Sequence, residues 1–159
     1  MVNDSLPPPG HAALRRGRYS EPHRAYLLTF ATQGRQPLFA NATLADTASA
    51  ALLDRRLWAR SQLLAWVLMP DHWHGLIVLG PWQTLPDLVR GLKCNSSRLA
   101  RAATPAVAQV WAAAYHDRAV RRDEALVDAA RYVVLNPVRA GLVQRARDYR
   151  YWGAVWAQR

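Results

Sequence analysis

Two apolar runs, Leu63 to Met69 and His72 to Leu79, are separated by nothing more than Pro70-Asp71. A connection that short joins strands only in antiparallel fashion, because a parallel return needs a crossover of roughly a dozen residues. Neither run alternates cleanly between apolar and polar residues, so the hairpin is expected to be covered on both faces and to occupy the centre of a sheet.

The segments around the hairpin follow from periodicity and turn chemistry. AYLLTFAT (25–32) has strand composition, with Gln33-Gly34-Arg35-Gln36-Pro37 as its exit turn. Thr43 to Ser61 places Leu44, Ala48, Ala51, Leu52, Leu57 and Trp58 near helical intervals, with Asp46 or Thr47 able to cap the start. Leu85 to Ala103 carries Leu88, Val89, Leu92, Leu99 and Ala103 on one stripe and Arg90, Lys93, Arg98 and Arg101 around the rest, which describes a basic amphipathic helix. Gln109 to Val120 reads as a fourth strand that leads into the charged turn Arg121-Arg122-Asp123-Glu124. Asp123 to Asn136 reads as a third helix with Leu126, Ala129, Ala130 and Val133 on its core stripe, ended by Pro137 and Gly141. The order strand, helix, strand, strand, helix, strand, helix matches a ferredoxin-like α+β fold. Its antiparallel sheet would carry helices on one face, plus an added C-terminal helix that bears Tyr132.

Before this unit, Leu6-Pro7-Pro8-Pro9-Gly10 and Arg15-Arg16 form a stretch that cannot pack, so residues 1–17 are expected to be a flexible basic arm and 18–159 the folded domain. A formal charge of +10 on 159 residues points to a polyanion, either nucleic acid or an acidic membrane surface. Lys93 is the sole lysine. The other cations are arginines, which grip phosphate and guanine with paired bonds but are also enriched by GC-rich genomes. No apolar run approaches the roughly 18 residues of a membrane span, and Met1 to Gly10 lacks the blocks of a signal peptide, so a cytoplasmic protein is expected. The single Cys94 can form no intramolecular disulfide, in keeping with a reducing compartment.

His72 and His74 are one residue apart, and on a strand that spacing sends both imidazoles to one face, about 7 Å apart along the chain. Two readings stand: a pair of metal ligands, or two incidental histidines. The interior character of Gly75-Leu76-Ile77-Val78 means that an unpartnered ring there would be costly. Tyr132 and Asn136 are four residues apart and share a helix face with Asp128, offset from the core stripe. Tyr132 alone would suit a boundary tyrosine with its hydroxyl in water, and Asn136 alone a helix end before proline.

The segment Trp66-Val67-Leu68-Met69-Pro70-Asp71-His72-Trp73-His74 resembles the His-hydrophobic-His (HUH) motif of single-tyrosine transposases. The segment Tyr132-Val133-Val134-Leu135-Asn136-Pro137-Val138-Arg139-Ala140-Gly141-Leu142-Val143 resembles the tyrosine-bearing segment of the REP-associated branch of that family. Gln109-Val110-Trp111, Tyr115-His116-Asp117-Arg118 and Arg18-Tyr19 resemble further stretches of it, so the likeness runs from about Arg18 to Trp156. Asp71 stands where Asn or Glu is also common, Tyr115 where Phe is usual, and Tyr149 to Gly153 matches loosely.

The resemblance implies a divalent ion, Mg²⁺ or Mn²⁺, on His72, His74 and Asn136, with Tyr132 as nucleophile forming a 5′-phosphotyrosine beside a free 3′-hydroxyl. The implied partner is single-stranded DNA beside an imperfect palindromic hairpin, handled by a monomer or homodimer away from any membrane. Arg15, Arg16, Arg18, Arg90, Lys93, Arg98, Arg101, Arg118, Arg121 and Arg122 could hold its backbone. A domesticated hairpin-binding protein without turnover is the competing reading. An RNA-binding module of the same fold would need aromatic pairs of RNP type, and no such motif stands out.

Overall fold

The computed structural model describes residues 20–157; the expected arm (1–17), with Arg15 and Arg16, and Arg18 at the expected start of the domain lie outside them. The fold is α+β, a five-stranded antiparallel sheet in the order β4-β1-β3-β2-β5. Its strands are β1 (Ala25–Ala31), β2 (Gln62–Met69), β3 (His72–Val78), β4 (His116–Ala119) and β5 (Trp152–Ala154). The helices are α1 (Ala42–Leu52), α2 (Leu85–Ala103), α3 (Leu126–Val134) and the single turn α4 (Asn136–Arg139).

The β2–β3 hairpin is central, as its continuous apolar runs require, and the pleat divides its residues between two cores. Leu28, Phe30, Leu68, Trp73 and Ile77 point to the layer formed by α1 and α2. Leu27, Ala65, Val67, Met69 and Leu76 point the other way, against Ala129, Ala130 and Val133 of α3. The added helix therefore covers the face that α1 and α2 leave open. A register shift between Leu63 and Ala65 puts one extra residue into β2, the local bend expected of a β-bulge.

Five features differ from expectation. The first helix stops at Leu52 instead of Ser61: the Asp54 carboxylate accepts from the Arg56 amide at 3.0 Å and folds the chain into turns, while the Trp58 indole donates to the Leu52 carbonyl at 2.8 Å. Side-chain bonds of this kind compete with the next helical turn. Its cap is Asn41, which accepts from the Leu44 amide at 3.1 Å, and not Asp46 or Thr47.

The fourth strand is only His116–Ala119, and Trp111 touches β1's extension through a single bridge to Thr32. The helix expected over Asp123 to Asn136 runs from Leu126 to Val134 and restarts at Asn136. Pro137 has no N–H for the Val133 carbonyl, so the ladder breaks there. Gly141, at φ 71°, ends the restarted turn: its amide donates to Val138 at 3.0 Å and that of Leu142 to Pro137 at 2.9 Å, a Schellman closure. Finally, β5 is an unforeseen edge strand on β2.

Candidate functional site

The site is built on β3. Trp73 is buried in the α1/α2 core, stacked on Phe30 at 5.0 Å. Its ring lies across Gly75, where a Cβ would come within 2.1 Å of Trp73 Cη2. With Trp73 locked on one face, the pleat turns both neighbours to the other, and the His72 and His74 rings sit with centroids 6.5 Å apart on the α3 side.

Each ring is held through Nδ1. His72 Nδ1–H donates to Asp71 Oδ1 at 2.7 Å, which leaves Nε2 with its lone pair. His74 stands opposite Thr29 in the register, and its Nδ1 bonds the Thr29 hydroxyl. His74 Nε2 is buried and has no hydrogen-bond partner. Burial, then the charges of His72 and Arg139, push the His74 pKa down to about 4, so the ring is neutral at pH 7.

Across from the pair, α3 buries Ala129, Ala130 and Val133 and leaves Tyr132 52% exposed, its ring 5.7 Å from that of His74. The neighbouring Arg139 on α4 was not anticipated from sequence. Its guanidinium lies over the Tyr132 ring at 4.2 Å and donates to the Tyr132 carbonyl at 2.8 Å. The signal was present only as a seven-residue spacing across a proline, which periodicity does not flag.

Asn136 is half-buried at the start of α4, on a separate short helix from Tyr132, so one unbroken helix does not present both. A hollow of about 430 Å³ opens between the two sides, lined by His74, Tyr132, Thr29, His116, Arg118 and Glu124.

The expected cations divide. Arg118 reaches this hollow, its guanidinium forked onto Glu124 at 3.0 and 3.1 Å. Arg121 and Arg122 border the adjoining hollow. Arg90, Lys93, Arg98 and Arg101 ride on α2, whose core stripe packs on the face of the sheet opposite Tyr132. Arg90 pairs with Asp87 at 2.8 Å, Arg98 with Asn95 at 3.1 Å, and Arg101 donates to Ser97 at 3.3 Å.

Lys93 is a correction of its own. Its ammonium donates to the carbonyls of Ala112, Ala113 and Ala114 at 2.8, 3.2 and 2.8 Å, so all three of its protons are engaged. Burial pushes its pKa down to about 8, and it remains charged at pH 7 as a structural tie.

The model of the family described as transposase IS200-like matches residues 22–134, a span that contains both histidines and Tyr132. The chain belongs to this family. Among solved structures, the IS200-like transposase resembles a REP-associated tyrosine transposase bound to a REP hairpin, with TM-score 0.67, 19% identity, and 85% of this chain and 79% of that one covered. It also resembles a protein of Deinococcus radiodurans assigned as a transposase, with TM-score 0.55, 24% identity, and 84% and 94% covered. At these identities the likeness is one of fold. No curated protein matches the chain.

The residues present suit a divalent cation. A half-buried, neutral imidazole with an orphaned, buried Nε2 suits a Lewis acid, and a carboxylate on the far nitrogen of His72 is the usual outer partner of a metal-bound histidine. Among the described residues no group of three or more His, Cys, Asp or Glu gathers.

Proposed function

We propose that this IS200-like transposase cuts and rejoins single-stranded DNA at palindromic, REP-type hairpins through a covalent bond to Tyr132. The observation that carries the reading is the Tyr132 ring standing 5.7 Å from His74, half open to solvent, within one chain. That closeness supports attack in cis, so a monomer suffices.

Tyr132 Oη loses its proton to solvent as the oxygen bonds to phosphorus. The phosphorus–O3′ bond breaks, and the leaving oxygen takes up a proton as a 3′-hydroxyl. A phosphodiester has become a phosphotyrosine ester, so bond energy is retained and a 3′-hydroxyl can reverse the attack without ATP. Arg139, over the Tyr132 ring and bonded to its carbonyl, sets a positive charge beside the attacking residue. Arg118 and its neighbours supply charge along the strand.

His72, His74 and Asn136 would hold the divalent ion, Mg²⁺ or Mn²⁺. When bound, it polarises and orients the scissile phosphate. Asp71 and Thr29 keep both Nε2 atoms turned to that task. No helix among the described residues is long and apolar enough to cross a membrane, and chromosomal DNA in the cytoplasm is the substrate this reading requires.

The test is a labelled hairpin oligonucleotide with a single-stranded flank, incubated with Mn²⁺ and either wild-type or Tyr132→Phe protein. Wild type should give a denaturation-resistant protein–DNA band and Tyr132→Phe none, with equal binding by both. Binding by both with no covalent product from either would make the protein a hairpin binder without turnover.

A further inference from the structure

The hollow beside Tyr132 continues along the molecule. It shares Glu124 with a second hollow of about 440 Å³, bordered by Arg121 and Arg122. The second shares His23 and Val78 with a third, of about 590 Å³, at the far end of β3. From His74 to Val78 the strand advances roughly 13 Å. Arginines outnumber carboxylates along these walls: Arg24, Arg118 and Arg121 are paired with Glu21, Glu124 and Asp123, while Arg60 and Arg122 carry no ion pair among the described residues.

At the end of this groove stands Trp82, 92% exposed. It follows Pro81 in the turn between β3 and α2 and has φ 62°. Pro-X turns with a positive φ at X normally place glycine or asparagine there. A large aromatic in that conformation is strained, and with the indole in water it gains no burial in return.

The turn is nonetheless pinned: the Ser61 hydroxyl accepts from the Gly80 amide at 3.0 Å and donates to Gln83 Oε1 at 2.6 Å. A Cβ on Gly80 would sit 1.4 Å from the Arg60 carbonyl, so only glycine permits the approach. The result is a rigid mount for an unpartnered indole above a basic trough. Flat aromatic surface beside unpaired cations is the chemistry that holds a nucleobase and its phosphate together.

We propose that this groove is the track of the single strand running to or from Tyr132, and that Trp82 is the platform on which one of its bases stacks. The inference rests on the reading that the substrate is single-stranded DNA.

The experiment measures binding of labelled oligo-dT, about 4 to 16 nucleotides long, by fluorescence anisotropy. Trp82→Asn accepts the same backbone, because asparagine tolerates positive φ, and should melt no lower than wild type. It should bind the longer strands about 5- to 100-fold more weakly and the shortest unchanged, while Trp82→Phe stays within about threefold of wild type. Abasic residues in the wild-type complex should reproduce the loss and add nothing to Trp82→Asn.

Equal affinity of Trp82→Asn and wild type at every length would overturn the proposal, as would abasic strands binding wild type as tightly as intact ones. Covalent adducts on a short hairpin substrate keep the two readings apart. Normal adducts with a Trp82 that makes no difference to binding would sink the groove alone. Absent adducts with a Trp82-dependent affinity would sink catalysis alone.

Discussion

Arg139 is the residue whose role the sequence hid most completely. Its guanidinium lies over the Tyr132 ring and donates to the Tyr132 carbonyl, one contact on the half-exposed phenol and one hydrogen bond to its backbone. Arg139→Met keeps much of the aliphatic packing and removes both; it should slow adduct formation about tenfold or more with little change in melting temperature, and Arg139→Lys should recover only part, since an ammonium cannot stack as a plane. The rate of covalent product under single-turnover conditions is the readout. The histidines were legible for the opposite reason. They are neighbours in the chain, and a strand's period of two fixes their common face whatever the rest of the fold does. What fixed them further, Trp73 lying across Gly75 and Thr29 meeting His74 from β1, depends on contacts between distant segments.

At the scale of elements, the hairpin, α2 and the order of the fold were readable from apolar runs and stripes. The helix misreadings came from local competition. Asp54 and Trp58 satisfied backbone groups that would have extended α1, Pro137 split the last helix where a proline was expected only to end it, and β5 is three residues long and has no period to detect. Lys93 shows how charge misleads in the same way. On a helical wheel it belongs with the solvent-facing cations, yet the loop 112–114 folds over it and offers three carbonyls. Lys93→Met leaves those carbonyls without a donor and should destabilise the fold by about 1–3 kcal/mol in urea unfolding, while oligonucleotide affinity stays within about twofold.

For the whole molecule, a formal charge of +10 is spread over both faces of the sheet, so charge alone could not say where DNA lies. The structure separates the cations by face. Those of α2 sit behind the sheet, whereas Arg118, Arg121 and Arg122 flank the hollows that lead away from Tyr132. Single-strand affinity should fall linearly on a log–log plot against salt, and Arg122→Ala should flatten the slope by about 0.7. Arg101→Ala, behind the sheet, should leave it unchanged. Substitutions that act at opposite ends of the groove, Arg139→Met and Trp82→Asn, should combine additively in binding because they share no partner.

The most direct measurement is peptide mapping by mass spectrometry after the protein has reacted with a hairpin oligonucleotide and the DNA has been digested away. Trypsin cuts after Arg131 and Arg139, releasing the segment 132–139 with Tyr132 as its one tyrosine. The account predicts a nucleotide phosphate on that peptide, dependent on added Mn²⁺ and absent from His74→Ala. A phosphate on any other peptide, or covalent product undiminished in His74→Ala, would contradict it.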